Sequence, residues 1–209
     1  MKKKILKPII KYVEDSSLID DVLSDSIANK RYNYLEKNVS IKDTFIDSCI
    51  FENIDFSLIK LDHVSFLDCK FIKCNFPYIN LSKTNLTRVE FINCNMSNTS
   101  FYKSTLVNVS FNDCSCKFSN FQEANINGLN IANSYMYSTY FNNTTFNNII
   151  FNNSDFKESE FIKSPLLDVD LSTCKLDNIR IDLVSIKGCK VNSAQGFAFL
   201  SILGIEVIE

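Results

Sequence analysis

Eight cysteines and one histidine are the side chains of this 209-residue chain that chemistry would recruit first, the thiols for metal binding or disulfide exchange and the imidazole as a general base. A metal site needs donors close in space, which sequences signal as C-x-x-C pairs or cysteines joined by histidines. The thiols here stand apart, at Cys49, Cys69, Cys74, Cys94, Cys114, Cys116, Cys174 and Cys189, and no C-x-x-C pair occurs. His63 sits beside Asp62 without a second histidine or a placed nucleophile. "KSTL" and "DCSC" are letters of a longer repeat, and neither a Gly-rich phosphate loop nor a ligand-spaced carboxylate set is present. The expectation is a protein that is not an enzyme, with no catalytic residue, no cofactor and no metal.

What the cysteines share is a period. In "FINCNMSNTSFYKSTLVNVSF", residues 91 to 111, Phe91, Met96, Phe101, Leu106 and Phe111 recur at every fifth place. Neither the 3.6-residue face of a helix nor the two-residue face of a strand gives that spacing. Counted in fives from Ile41 to Val191, all 31 positions are apolar and 14 are Phe, so the frame runs unbroken through the centre of the chain. Two places earlier, from Thr44 to Cys189, stands a second series that apart from Leu129 holds only small or β-branched residues. Seven cysteines belong to this small column and Cys116 to the large one, which reads them as small buried hydrophobes.

Composition follows the repeat: there are 18 Phe, 4 Gly and no Trp, and the Phe excess is mostly the large column. The net charge of -2 is spread evenly, so bulk electrostatics select no partner. "MKKKILKPII" starts as a secretory signal would, but Pro8, Lys11 and Glu14 interrupt the apolar run and no small-residue cleavage site follows. No run approaches a transmembrane length. A cytoplasmic location is expected, without membrane contact.

A chain that turns a corner every five residues closes after four pentads, so each residue lies beneath its counterpart twenty places on. The expected architecture is all-β, a four-sided β-helix of about seven to eight coils rising ~4.8 Å per coil. Cys74, Cys94 and Cys114 would then form one internal ladder, too widely spaced for relaxed disulfides at ~3.5 to 4.5 Å between Cβ atoms. "CNFPY" (74 to 78), "TNLTR" (84 to 88), "CNMSN" (94 to 98), "ANING" (124 to 128), "TTFNN" (144 to 148) and "SDFKE" (154 to 158) resemble the repeat of the pentapeptide-repeat proteins, near [ACSTV]-[DN]-[LF]-[ST]-x. That resemblance covers residues 41 to 191 and implies a right-handed quadrilateral β-helix.

Both ends leave the frame. Residues 1 to 40 are read as an N-terminal extension in which Leu18, Ile19, Val22, Leu23 and Ile27 form a short amphipathic helical cap after Asp15 or Ser16. Residues 192 to 209 are read as a helix capped by Ser193 and ended by Gly204, then a strand from Ile205 to Ile208. Phe197, Ala198, Phe199, Leu200, Ile202 and Leu203 leave that helix almost no polar face. One side must bury on the last coil and another on a second copy, giving a two-fold homodimer. The "AQ…LGIEVI" ending resembles the C-terminal dimerisation module of the Qnr-type quinolone-resistance proteins. It implies dimer residues Ala194, Gln195, Leu200, Leu203, Gly204 and Ile205, which Phe197 and Phe199 join through their apolar character.

The same resemblance implies a dimeric rod that imitates duplex DNA, binds DNA gyrase or topoisomerase IV and relieves quinolone inhibition, without binding nucleic acid itself. Two features depart from that pattern: no loop interrupts the frame, and sorting charges by side yields no acidic stripe. The other expected role is a protein-interaction or structural scaffold with an unrelated partner. In either role the partner surface expected from the register is aromatic, with Tyr78, Phe118, Tyr135 and Tyr137 pointing outward and Tyr140 around the next corner.

Overall fold

A computed structural model describes residues 4–35, 38–202, 204–206 and 208. They form a right-handed four-sided β-helix of about eight turns. The strands Asn85–Ile92, Thr105–Asn112, Asn125–Ala132 and Thr145–Asn152 stack in parallel at an offset of twenty, Phe91 over Phe111 and Ile131 over Phe151. Each crosses two sides of the coil around one corner. The corners are made by the second residue after the large one, held in the left-handed region at nearly every coil from Asp43 (φ 49°) to Asn178 (φ 54°), with Leu58 and Thr173 as exceptions. Asn and Asp tolerate that conformation best among residues with a side chain, which explains their abundance there.

The large column fills the interior. Phe71, Phe91 and Phe111 stack with centroids 4.9 and 5.0 Å apart, and Phe101, Phe121 and Phe141 at 4.6 and 4.9 Å. Near-parallel stacking follows from the twenty-residue register, while neighbouring columns meet edge to face, as Phe101 does Phe111 at 81°. The small column does more than fill space. Thr99 and Ser119 donate from their hydroxyls to Phe76 O and Met96 O, each at 2.7 Å, and the Cys94 thiol donates to Phe71 O at 3.3 Å. Ser, Thr and Cys alternate there because each is small and carries a donor that satisfies a buried carbonyl. Burial pushes the Cys49 thiol up to about 11 and the fully enclosed Cys69 and Cys116 well above their ordinary value, so these are inert thiols.

The ends depart from the expectation. Only Leu18–Asp21 is helical near the N-terminus, whereas Ser26–Ala28 and Lys30–Tyr32 are strands that stack under Phe45–Asp47 and Ile50–Glu52. Their offset is nineteen, Ile27 under Ile46 and Tyr32 under Phe51, so counting in fives from Ile41 could not reach this first coil. Its buried Leu18, Ile27 and Tyr32 continue the core that residues 1 to 40 were expected only to cap.

At the other end one inward position moves by a residue. Val184, inward by the five-residue count, is exposed, and Ser185 is buried in its place, accepting from Ser164 N at 2.7 Å. The single helical turn Leu183–Ile186, capped by Asp182, makes this exchange locally, and the twenty-residue register holds on either side of it, Phe161 on Ile181 and Asp170 on Lys190. The C-terminal helix is Ser193–Ile202, and its cap is Asn192 rather than Ser193: Asn192 and Gln195 exchange hydrogen bonds between side chain and backbone N–H. Gly204 (φ 71°) follows it, with Ile205 N–H on Leu200 O. Ile205, Glu206 and Ile208 carry no strand, and Leu203 lies outside the described residues.

Candidate protein-docking surface

The side of the rod built on Phe76, Met96, Cys116, Met136 and Phe156 carries the aromatic group. On it Tyr135 lies in a column of parallel bridges that runs Asn75, Asn95, Ser115, Tyr135, Asp155, Lys175. Tyr78 and Phe118 stand two coils apart on the following corner, both at φ 59°. A bulky residue is strained in that region by about 1–2 kcal/mol relative to its ordinary conformations, so neither ring is placed there by backbone preference.

Of the five expected residues the structure joins two directly. Phe118 meets Tyr137 of the next coil edge to face, with centroids 5.4 Å apart at 86°. Tyr137 is half-buried and its hydroxyl donates to Glu158 Oε2 at 2.5 Å. Tyr135 stands beside them, 56 % exposed, with the Lys117 ammonium 5.6 Å from its ring centroid. Tyr78 is 79 % exposed two coils below, and Tyr140 lies around the corner in the column Asn120, Tyr140, Glu160. Lys117 and Glu158 were not among the expected residues. The twenty-residue register held the signal, since Glu158 comes one coil above Ser138 at the same corner, and it also accepts from that hydroxyl at 3.3 Å.

The C-terminal helix presents a second surface. Gln195 is turned inward, its amide donating to Leu171 O and Cys174 O at 3.0 and 2.7 Å, and Phe199 is buried beside half-buried Leu200. Gln195 and Phe199 fasten the helix to its own last coil. Ala194, Phe197, Gly204 and Ile205 face outward, Phe197 at 61 % exposure.

Charges along the rod alternate rather than segregate. Lys103 pairs with Glu123 at 3.3 Å, Arg180 with Glu160 at 2.5 Å and Arg88 with Asp68 at 2.6 Å, each twenty residues apart. His63 is exposed 3.5 Å from Asp62. Among the described residues no group of three or more His, Cys, Asp or Glu is arranged to hold a metal, and no helix is long and apolar enough to cross a membrane.

Residues 44–121 and 84–136 match the family model of a pentapeptide repeat region. No curated protein matches the chain. Among solved structures, the pentapeptide repeat protein Rfr23 from the cyanobacterium Cyanothece 51142 aligns at 15% identity over 59% of this chain and 91% of its own, with a TM-score of 0.44. Trypsin-treated QnrB1, a plasmid-mediated fluoroquinolone resistance protein, aligns at 20% identity over 88% of this chain and 100% of its own, TM-score 0.41. HetL, a pentapeptide repeat protein involved in heterocyst differentiation regulation in the cyanobacterium Nostoc sp. strain PCC 7120, aligns at 9% identity over 79% and 86%, TM-score 0.38.

Proposed function

Because this is a pentapeptide-repeat protein with its side-chain rings stacked inside and its corners turned outward, we propose that it works without catalysis, as a homodimeric rod that binds another protein on its surface. The observation that carries this reading is the outward group of Phe118, Tyr135 and Tyr137, braced by Lys117 and Glu158. Aromatic rings with polar tips, held in place before binding, are the side chains that most often dominate protein interfaces. Pairing through Ala194, Phe197, Gly204 and Ile205 would bury the apolar outer face of the C-terminal helix. Multi-angle light scattering at micromolar concentration should give twice 23.9 kDa, and a monomer would end the dimer reading.

The partner we assign is a cytoplasmic type II topoisomerase, DNA gyrase or topoisomerase IV, which the protein protects from quinolones as a partial mimic of duplex DNA. Its support is the "AQ…LGIEVI" ending after a long unbroken repeat. The second reading, a scaffold for an unrelated protein, is favoured by the alternating charges, since a DNA mimic calls for acidic stripes. Gyrase supercoiling with a quinolone present, as the protein is titrated, separates the two. Protection at equimolar protein or below that is lost in the Phe118→Ser, Tyr135→Ser, Tyr137→Ser triple variant supports the first. Absence of both protection and gyrase binding supports the scaffold.

A further inference from the structure

A solenoid is weakest at its ends, because a terminal coil leans on one neighbour only. The first coil of this rod is spare, with strands Ser26–Ala28 and Lys30–Tyr32 of three residues each. Asn29 N–H donates to Asp47 O at 3.1 Å and Phe45 N–H to Asp25 O at 3.0 Å, bonds that join it to the second coil. Opening it would uncover the edges of Phe45–Asp47 and Ile50–Glu52 and the Phe51 ring, on which Tyr32 now stacks with centroids 5.1 Å apart.

The amino-terminal arm, residues 4–13, reaches past this coil. From Glu14, whose N–H donates to Asn29 O at 2.9 Å, it runs back along one corner of the rod, where Asp68, Arg88, Asn108 and Gly128 follow at twenty-residue intervals. Ile9 N–H donates to Asp68 Oδ1 at 2.8 Å and Leu6 N–H to Asn108 Oδ1 at 3.2 Å, two coils apart. The pitch agrees: three extended residues reach about 10 Å, and two coils rise about 9.6 Å. Asp68 is a charged acceptor held in place by Arg88 Nε and Nη2 at 2.7 and 2.6 Å, so its bond to the arm is stronger than one between neutral groups. Gly128 leaves room for the other anchor, because a Cβ there would stand 2.8 Å from Asn108 Oδ1. The Leu6 and Ile9 side chains are exposed, which leaves the anchoring at these two residues to the backbone.

We propose that the arm is a clasp that holds the first coil shut. Couplings in a solenoid otherwise run between neighbouring coils, whereas this arm joins the first coil to the coils of Asp68 and Asn108, through a contact that spans 102 residues of sequence. The first coil is thereby tied at both of its ends, by the chain that continues into the second coil and by the arm. To open, it must either unfold as a tethered loop, which gains less chain entropy than a free tail, or break both bonds of the arm. The inference does not depend on which protein the aromatic surface binds.

Proline substitution in the arm tests it, because proline deletes the donor N–H and leaves every residue of the rod in place. Amide hydrogen exchange is read by NMR on the full chain and on the Leu6→Pro, Ile9→Pro double variant. The backbone amides of Asn29 and Phe45 should exchange about ten- to a hundredfold faster in the variant, as the loss of two net hydrogen bonds predicts, while the Phe111 amide in the stacked middle keeps its rate. The companion Leu6→Ala, Ile9→Ala variant retains both N–H groups and should match the parent at Asn29 and Phe45. Unchanged exchange in the proline variant overturns the proposal. So does an equal acceleration in the alanine variant, which would mean that side chains hold the arm. Acceleration at Phe111 as well would show a general loosening of the rod and would also count against the clasp.

Discussion

The coils between Phe66 and Asn152 and those that follow Pro165 obey the same five-residue frame and are built to different tolerances. In the first region four eight-residue strands pair without interruption and Phe71, Phe91 and Phe111 are sealed inside. In the second the strands shrink to Glu160–Phe161 and Arg180–Ile181, and Leu176, Ile186, Cys189 and Val191 are only half-buried. Both are apolar in the right places. What differs is the backbone: the second lacks a donor at Pro165 and turns Ser185 inward in place of Val184, and the first has neither defect. In a solenoid, where each coil leans only on its neighbours, such local faults stay local.

The contrast is broken most severely from the inside. Phe91→Ala removes a ring stacked 4.9 Å above Phe71 and 5.0 Å below Phe111, and should cost about 3–5 kcal/mol in denaturant unfolding. Leu176→Ala, half-buried in the second region, should cost about 1–2 kcal/mol. Equal losses at the two positions would mean that the coils after Pro165 are packed as firmly as those before it.

These regions also differ in how far the sequence reveals them. The Phe column, the four sides and the outward direction of Tyr78, Phe118, Tyr135, Tyr137 and Tyr140 follow from counting in fives. The slip that exposes Val184 and buries Ser185 does not, because both residues suit the small column and only the pairing with Ser164 chooses between them. The first coil was hidden by its nineteen-residue offset. The amino-terminal arm, whose Ile9 and Leu6 N–H groups donate to Asp68 Oδ1 and Asn108 Oδ1 at 2.8 and 3.2 Å, was hidden for another reason: it is held through its own backbone N–H groups, which every residue but proline possesses, so its side chains carry no signature of the contact.

That arm fastens the firm region and gives it a dependence on pH. Burial opposes the charge on Asp68, but hydrogen bonds from Arg88 and from Ile9 N–H outweigh it and hold the carboxyl below the usual carboxylate range. A folded-state pKa below the unfolded one contributes stability that is complete above the unfolded value near 4 and is lost as pH falls through the lower folded value. Asp68→Ala should cost about 2–3 kcal/mol at neutral pH, somewhat under the figure for a fully enclosed pair because the Arg88 side chain keeps 25% of its exposure. Asp68→Asn should flatten the acid limb of the unfolding profile, and an unchanged limb would place the acid sensitivity elsewhere.

The aromatic corner offers the reverse sign. Tyr78 is strained at φ 59° and 79 % exposed, while Asn98 holds the same corner one coil above at φ 60°. Tyr78→Asn should therefore raise stability by about 1 kcal/mol, while weakening partner binding if the ring is part of the docking surface. A destabilised variant would mean that the ring packs against the rod and that its exposure is not the reason for its position.

The smallest effect is the most pointed. Pro165→Thr restores the missing N–H opposite Thr144 O, worth about 1 kcal/mol, and gives up the rigidity of proline in the unfolded chain, worth about 0.4–1 kcal/mol. Global stability should barely move. Amide exchange along residues 145–149 should nonetheless slow about threefold, because a rung would close above a strand that now ends its sheet. If exchange there stays unchanged, the missing donor does not separate the two regions, and the difference must come from the helical turn that brings Ser185 inward.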